Sequence, residues 1–213
     1  MRRPYAENRI QPQESILQVW GEVLFVTAMV HFAMMDRFEG LHHLLLENYP
    51  MLERHGSETA QIALDIGKRL SLDSVQLSNL YTGALLHDIG LALIPNRYFG
   101  LSRPLTNEEW EVVRTHPRVG YEYVKKAGLP DSIGEIVLHH HERYDGTGYP
   151  CRLKGSDIPQ LARICMLAEA LDTMIRLKSP CFTMSKVIEE LKFNAGTQFD
   201  PELVDLMLPC LDS

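Results

Sequence analysis

The length and composition of the chain are those of a globular protein. It has 213 residues, of which 45% are apolar and 23% are charged, which excludes a disordered or fibrous chain and suits one large domain or a domain with an extension. The formal net charge of −7 argues against nucleic-acid binding, because a phosphate backbone would be repelled. A small anionic substrate is compatible with this charge, since bound divalent metals can reverse the local field.

The cysteines and the N-terminus indicate a cytoplasmic protein. No C-x-x-C spacing occurs among the four cysteines, which are Cys151, Cys165, Cys181 and Cys210. Nothing at the N-terminus resembles a signal peptide. The apolar run over residues 16–35 is interrupted by Gln18, Glu22 and His31, so we expect a buried or dimer-forming helix there rather than a membrane span.

Apolar residues recur at helical spacing along the chain, and strand alternation and internal repeats are missing from the pattern. A capping box of Thr106 and Glu109 predicts one helix start. We expect helices over residues 15–35, 36–50, 52–70, 75–89, 107–115, 119–127, 132–141, 160–176, 184–193 and 201–211. The predicted fold class is therefore all-α, with nine or ten helices around one core.

Three consecutive histidines precede a glycine-rich loop in residues 138–150. Neutral imidazole is a strong ligand for transition metals, and neighbouring residues on a helix point about 100° apart. Two of the three histidines can therefore bind one metal ion or two adjacent ions, while the third points elsewhere. Gly146 and Gly148 allow positive φ and close backbone approach, and Pro150 stiffens the exit from the loop.

A carboxylate in an apolar helix is the second signal. His87 and Asp88 interrupt the apolar pattern of residues 75–89, and burying an aspartate costs several kcal/mol unless it is paired or bound to a metal. The two oxygens of Asp88 can bridge two cations while His87 binds one of them.

Seven residues from five helical segments form the candidate ligand set: His55, His87, Asp88, His116, His140, His141 and Glu169. Oxygen and nitrogen ligands without cysteine suit iron, manganese or a related divalent ion, and seven ligands suit two ions. Two such ions can clamp a phosphodiester and activate water for in-line attack. The expected reaction is therefore phosphoester hydrolysis.

The order and spacing of these residues resemble the HD-GYP branch of the HD phosphohydrolase superfamily. The matching motifs are His55, His87-Asp88, His116-Pro117-x-x-Gly120, His140-His141-Glu142-x-x-Asp145-Gly-x-Gly-Tyr149-Pro150 and Gly196-x-x-Phe199-Asp200-Pro201. The resemblance implies an HD-type helical bundle with additional helices over residues 51–213. Residues 1–50 match nothing in that family, so we expect a helical N-terminal extension that packs or forms a homodimer.

The resemblance also implies a function, namely a bacterial phosphodiesterase that hydrolyses cyclic di-GMP to pGpG and/or GMP. The five histidines of the set match the family's metal-binding histidines. Asp88 matches the family's bridging aspartate. Together, His87 and Asp88 match the catalytic His-Asp pair of the family. Glu169 takes the place of the remaining aspartate ligand, and the cofactors expected are two divalent ions, iron or manganese. The expected substrate contacts are Arg143, Tyr149, Arg176 and Lys178.

The chain departs from the family pattern at several positions. Leu91 replaces a lysine that lies near the substrate phosphate, and the carboxylate of Glu169 is one methylene longer than the usual aspartate. Met51 stands where three-metal members have a glutamate, which favours two metals. The family's Arg-Pro-Tyr-Arg stretch is replaced over residues 177–181, leaving Arg176 and Lys178 as substitute cations.

Two alternatives to the phosphodiesterase follow from these departures. One is a degenerate module that binds nucleotide, or a signalling partner through its Gly-Tyr-Pro loop, without efficient turnover. The other is a phosphohydrolase that acts on another nucleotide. Leu91 and Glu169 favour the alternatives, whereas the complete histidine set favours the active phosphodiesterase.

Overall fold

Helices form the regular structure of this protein. A computed structural model describes residues 50–95, 98, 103–177 and 183–211. Its α-helices are α1 (Pro50–Arg69), α2 (Ser74–Leu86), α3 (Asn107–Val113), α4 (His116–Lys126), α5 (Asp131–His139), α6 (Gln160–Asp172), α7 (Met184–Asn194) and α8 (Pro201–Leu211). Within these ranges the β pairing amounts to one isolated bridge between Ala195 and Phe199. The predicted all-α fold class is confirmed.

Several predictions concern residues outside the described ranges. These are the two helices over residues 15–35 and 36–50, and the homodimer that the N-terminal extension would form. Lys178 and the side chain of Arg176 also lie outside them. The division of the chain at residue 50 stays a prediction. Among the helices that the structure does describe, none is long and apolar enough to cross a membrane.

Capping boxes start two of the helices. Before α3, the amide of Glu109 donates to Thr106 Oγ1 at 3.3 Å and the amide of Thr106 donates to Glu109 Oε2 at 2.8 Å. Asp73 and Gln76 make the same exchange before α2. Each pair satisfies amide donors that a helix leaves without partners in its first turn. The start predicted at Thr106 is therefore confirmed.

The predicted helix over residues 75–89 is too long. Helix α2 ends at Leu86, and after His87 and Asp88 the chain tightens into a 3₁₀ helix, Ile89–Leu93. The reason is tertiary: this turn lies against the start of α4, where a Cβ added to Gly90 would be 2.0 Å from the carbonyl oxygen of His116. The end of α2 is therefore set by packing against α4, which the spacing of apolar residues within α2 does not reveal.

Two other boundaries also differ from the prediction. Helix α4 begins at His116, three residues before the predicted start, because Pro117 is tolerated in the first turn, where its missing amide has no partner to lose. The helix predicted over residues 160–176 ends as α-helix at Asp172 and continues as a π turn, Thr173–Leu177.

Among the described residues, the main apolar cluster of the core has α6 at its centre. Ile164, Leu167 and Leu171 of α6 are at most 1% exposed. Helix α1 packs against α2 and α6 through small residues, of which Ala60 and Ala63 are fully buried. Helices α2 and α6 also pack against α5. Because these helices are fixed by burial, the polar side chains that they carry are held at defined positions.

We expect Gly90→Ala to destabilise the protein. Its new methyl group would meet the backbone of His116, which cannot rotate away as a side chain can. The free energy of unfolding should fall by about 1–3 kcal/mol, measured as a lower denaturant midpoint at an unchanged slope.

Gly134→Ala in α5 is the matched control for this substitution. The methyl group would there meet only the ring of Tyr121, at 3.1 Å, and alanine improves helix propensity by about 1 kcal/mol. Equal losses in the two variants would contradict the argument from backbone contact.

Candidate metal centre

The structure brings the seven candidate ligands together in two adjoining groups. One group contains Asp88, His116, His140 and His141, and the other contains His55, His87 and Glu169. Within each group the ligand atoms lie within 4.8 Å of one another. The residues come from α1, from the residues after α2 and α5, from the start of α4 and from α6. Their role as metal ligands remains a prediction.

Asp88 joins the two groups, because its two oxygens face different histidines. Its Oδ1 atom lies 3.2 Å from His116 Nε2 and 3.7 Å from His140 Nε2. Its Oδ2 atom lies 3.4 Å from His87 Nε2. A carboxylate in this arrangement can hold one cation on each oxygen.

Backbone hydrogen bonds orient three of the imidazoles. The Nδ1 atoms of His87, His116 and His140 each donate to a carbonyl oxygen three residues earlier, at 2.7, 2.8 and 2.8 Å respectively. A carbonyl oxygen can only accept, so Nδ1 carries the hydrogen. In the neutral ring Nε2 then carries a lone pair, and in all three residues this atom faces Asp88.

These lone pairs fit a divalent cation. His87 Nε2 is buried without a hydrogen-bond partner, although Asp88 is nearby. His116 Nε2 and His140 Nε2 lie 3.1 Å apart, where two lone pairs repel each other unless a proton or a metal ion lies between them. Imidazole nitrogens around a carboxylate, with Nδ1 held by the backbone, are the donor set that metal sites use.

Asp172 was not predicted as part of the site. His55 Nδ1 hydrogen-bonds Asp172 Oδ2 at 2.5 Å, and Asp172 is 3% exposed. This carboxylate fixes the ring so that His55 Nε2 is available to a metal. The available signal was its position one helical turn after Glu169, on the face of α6 that carries the candidate ligand.

For His87 and His140, burial lowers the pKa and the charge of Asp88 raises it, whereas for Glu169 both burial and Asp88 raise the pKa. Burial would raise the pKa of Asp88, but the charge of His87 and the hydrogen bonds of His116 hold it well below its ordinary value. Burial would lower the pKa of His87, yet Asp88 raises it to about 9. Burial lowers the pKa of His140 to about 4 and raises that of Glu169 to about 7.

Glu142 belongs to the motif that begins with the histidines, but no role in supporting the site was predicted for it. It is 1% exposed, and its carboxylate accepts hydrogen bonds from the amides of Cys151 and Leu153, at 2.6 and 3.1 Å. It thereby folds the loop after α5 back onto the histidines. Gly148 allows this close approach, because an added Cβ would be 2.3 Å from the amide nitrogen of Arg143. The signal for Glu142 was its place directly after the three histidines.

Of the predicted substrate contacts, Tyr149 packs against the histidine cluster, whereas Arg143 is bonded to residues of its own loop. The ring of Tyr149 packs on that of His141 with 4.8 Å between centroids, and the Arg114 guanidinium lies 5.8 Å from the Tyr149 centroid. Arg143 is engaged within its own loop, where Nε donates to Thr147 Oγ1 at 3.0 Å and the guanidinium pairs with Asp145 at 3.5 Å. Contact of Tyr149 or Arg143 with substrate stays a prediction.

A cleft of about 210 Å³ opens beside the candidate ligands. His141 and Glu169 form part of its lining, and Met174, Glu190 and Phe199 also contribute. A ligand in this cleft would therefore touch both groups of the cluster directly.

A family model described as "HD domain" matches residues 39–203. The chain belongs to the HD domain family. The prediction made from the His-Asp and Gly-Tyr-Pro motifs is thereby confirmed, and curated relatives of this HD domain agree with it.

Three of these relatives are named as cyclic di-GMP phosphodiesterases. One from Vibrio cholerae is 37% identical over 61% of this chain and 28% of its own length. The response regulator RpfG from Xanthomonas campestris is 34% identical over 67% of this chain and 39% of its own length. One from Thermotoga maritima is 32% identical over 80% of this chain and 48% of its own length. The HD domain chain thus spans less than half the length of these relatives.

Solved structures support the fold. Bd1817, an HDG"Y"P protein from Bdellovibrio bacteriovorus, superposes with a TM-score of 0.62 at 21% identity, over 76% of this chain and 53% of that one. The PgpH HD domain of L. monocytogenes in complex with cyclic di-AMP gives 0.59 at 19% identity, over 81% and 93% of the two chains. At these identities the likeness establishes a shared HD fold.

We expect Asp172→Ala to weaken metal binding through His55. Loss of the carboxylate frees the imidazole to rotate, and changes of this kind lower metal affinity by about 10–100-fold. Titration of the metal-free protein with Mn²⁺ measures the loss. Asp205→Ala, which removes an exposed carboxylate from α8, should leave the affinity unchanged.

A double-mutant cycle separates this positioning effect from general destabilisation. In a His55→Ala background, Asp172→Ala should cause no further loss of metal affinity. An equal loss in both backgrounds would show that Asp172 acts independently of His55.

We expect metal affinity to rise from about pH 6 to about pH 9, because a metal must displace the protons of its ligands. The pKa of Glu169 is raised to about 7 and that of His87 to about 9, so both groups hold protons at the lower pH. His140, with its lowered pKa, is already neutral and adds no pH dependence in this range. Calorimetry in two buffers with different ionisation enthalpies measures the protons released, and a constant affinity would contradict the prediction.

Proposed function

We propose that this HD domain binds two divalent metal ions. The observation that carries the proposal is the placement of Asp88, whose two oxygens face His116 and His87 in separate ligand groups. Each group offers three or four ligand atoms, so each can hold one ion while Asp88 belongs to both.

Iron or manganese suits these groups best. Among the described residues the seven candidate ligands are imidazoles and carboxylates, and no cysteine belongs to either group. Mixed nitrogen and oxygen donors favour first-row ions such as these over metals that prefer thiolate. Glu169 provides the charge of the aspartate it replaces, in the group with His55 and His87.

We further propose that the protein hydrolyses cyclic di-GMP to pGpG and/or GMP. The names of the relatives support this substrate, and the cleft beside His141 and Glu169 gives a ligand access to the cluster. When bound, the metal pair would polarise a phosphodiester and activate a water molecule. Asp88 would hold the two ions together, and His87 would keep its Nε2 lone pair directed at the centre.

Residues of a separate recess of about 260 Å³, which Tyr149 and Arg114 help to line, would position the nucleotide. Tyr149 forms a rigid wall because its ring packs on His141, and such a surface suits stacking of a base or sugar. Arg114, which is 51% exposed and lies near that ring, offers a positive charge for a phosphate. The cation sites predicted at Arg176 and Lys178 remain part of this proposal.

A second candidate function, nucleotide binding without efficient turnover, is favoured by Leu91. This residue lies in the 3₁₀ helix directly after Asp88 and is half-buried. An ammonium group at this position would stabilise developing charge on the phosphate, and Leu91 has none to give. Binding of a signalling protein through the Gly-Tyr-Pro loop, and a cytoplasmic location, belong to the proposal in either case.

Turnover of cyclic di-GMP by the protein loaded anaerobically with iron or manganese tests the function. We expect slow hydrolysis by the native chain and an increase in kcat/KM of roughly 10²-fold in Leu91→Lys, because the added ammonium supplies transition-state stabilisation. Parallel assays with 3'3'-cGAMP, the substrate named for another Vibrio cholerae relative, determine the nucleotide preference.

Two control variants make the assay specific. Leu93→Lys adds the same charge to an exposed position of the same 3₁₀ helix and should leave kcat/KM unchanged, whereas Asp88→Asn should abolish turnover. If native protein and Leu91→Lys both bind cyclic di-GMP without hydrolysing it, the binding function replaces the phosphodiesterase. If neither binds nor hydrolyses any cyclic dinucleotide, both proposals fail.

A further inference from the structure

A third group of metal-ligating side chains lies outside the two groups that contain Asp88 and Glu169. It consists of His139, Glu142 and Cys151, whose ligand atoms lie within 4.8 Å of one another. His139 is the last residue of α5, Glu142 follows the three histidines, and Cys151 comes directly after the Gly-Tyr-Pro loop. His139 is thus the member of the histidine run that points away from the first centre, which is the candidate centre formed by the two groups that contain Asp88 and Glu169.

The imidazole of His139 has a nitrogen that the protein leaves without a partner. Its Nδ1 atom is buried and makes no hydrogen bond, in contrast to Nδ1 of His140, which donates to a backbone carbonyl. The Oε1 atom of Glu142 lies 3.7 Å from it, too far for a hydrogen bond. A buried nitrogen facing a carboxylate at this distance leaves room for an ion that contacts both.

Hydrogen bonds hold Glu142 and Cys151 beside each other. The amide of Cys151 donates to Glu142 Oε1 at 2.6 Å, and the amide of Leu153 donates to Oε2 at 3.1 Å. Each carboxylate oxygen can accept more than one bond, so a lone pair is left for a cation. Because the backbone of Cys151 is fixed in this way, its thiol is kept near the other two side chains.

Cys151 gives the group a different chemistry from that of the first centre. Its thiol is exposed, so a metal ion has access from solvent, and a thiolate ligand selects zinc-class ions over the hard cations that oxygen ligands prefer. In a tetrahedral zinc site with bonds of about 2.0 to 2.3 Å, ligand atoms are separated by about 3.3–3.8 Å. A nitrogen and oxygen pair belongs at the short end of this range, about 3.3–3.5 Å, so the 3.7 Å between His139 Nδ1 and Glu142 Oε1 would close by a few tenths of an ångström when an ion binds.

We propose that His139, Glu142 and Cys151 form a separate binding site for a zinc-class divalent ion. The imidazole nitrogen, one carboxylate oxygen and the thiolate sulfur bind the ion, a water molecule takes the fourth position, and the thiol proton is released to solvent on binding. The ion ties the end of α5 to the residue that follows the Gly-Tyr-Pro loop. It thereby fastens the segment that holds Tyr149 against His141.

This proposal does not depend on hydrolysis of any nucleotide. The first centre is built from imidazoles and carboxylates, whereas the third group contains a thiol. A metal bound through sulfur therefore has a spectroscopic signature that the first centre cannot produce, even when both sites are filled.

Titration of the metal-free protein with Co²⁺ tests the site. We expect a thiolate-to-cobalt charge-transfer band in the near ultraviolet that is missing in Cys151→Ser, together with a loss of about one bound ion per chain in that variant. His139→Gln should weaken the band. Cys210→Ser and Cys181→Ser, which alter other cysteines, should retain it.

Thiol labelling provides an independent measurement. Zn²⁺ should slow alkylation of Cys151 at least about 10-fold, because the bound thiolate is less available as a nucleophile, while alkylation of half-buried Cys210 should be unaffected. Peptide mass spectrometry assigns the labelled residue. A charge-transfer band that persists in Cys151→Ser would overturn the proposal, and so would cobalt binding without any such band. The segment from His139 to Cys151 would then be held by its hydrogen bonds alone, without a metal ion.

Discussion

The half-buried carboxylate of Asp88, whose side chain is 15% exposed, is the constraint on which the rest of the site depends. It lies among imidazole nitrogens whose lone pairs point at it, and this arrangement is electrostatically favourable only when positive charge is present. The short distance between His116 Nε2 and His140 Nε2 follows from the same constraint. The fold brings α1, α2, α4, α5 and α6 to one point, and an uncompensated negative charge there would oppose that packing.

His87 and Asp88 were recognised in the sequence because they interrupt an apolar helix, where a buried carboxylate is costly. The other five candidate ligands were found from their residue types and from the order and spacing of the motifs, and the structure brings all seven together in two adjoining groups. Asp172 was missed because its partner, His55, is 117 positions away, and no local pattern shows such a pair. The helix boundary at Leu86 was misplaced for a related reason, since the contact of Gly90 with α4 overrides local spacing. The start of α4 at His116 was misplaced for a local reason, because Pro117 is tolerated in the first turn of a helix.

The two parts of the site differ in how the protein supports them. The candidate metal ligands lie on helices or at their ends, where buried packing fixes them. The residues expected to contact the nucleotide, such as Tyr149 and Arg143, lie on a loop that is held by Glu142. A chain built in this way can lose a phosphate contact, as at Leu91, while its metal-binding geometry is retained. The departures from the family pattern are therefore compatible with an intact centre.

The hydrogen bonds from the imidazoles to the backbone have a further consequence for local motion. The carbonyls of Ala84, Val113 and Val137 belong to the last turns of α2, α3 and α5, where the helix itself supplies no donor. With the proposed metal ions bound, each ligand ring would act as a fixed cap on its turn. Loss of the metal would then allow three separate helix ends to fray together, so occupancy of the proposed centre would govern the opening of backbone segments that never touch an ion.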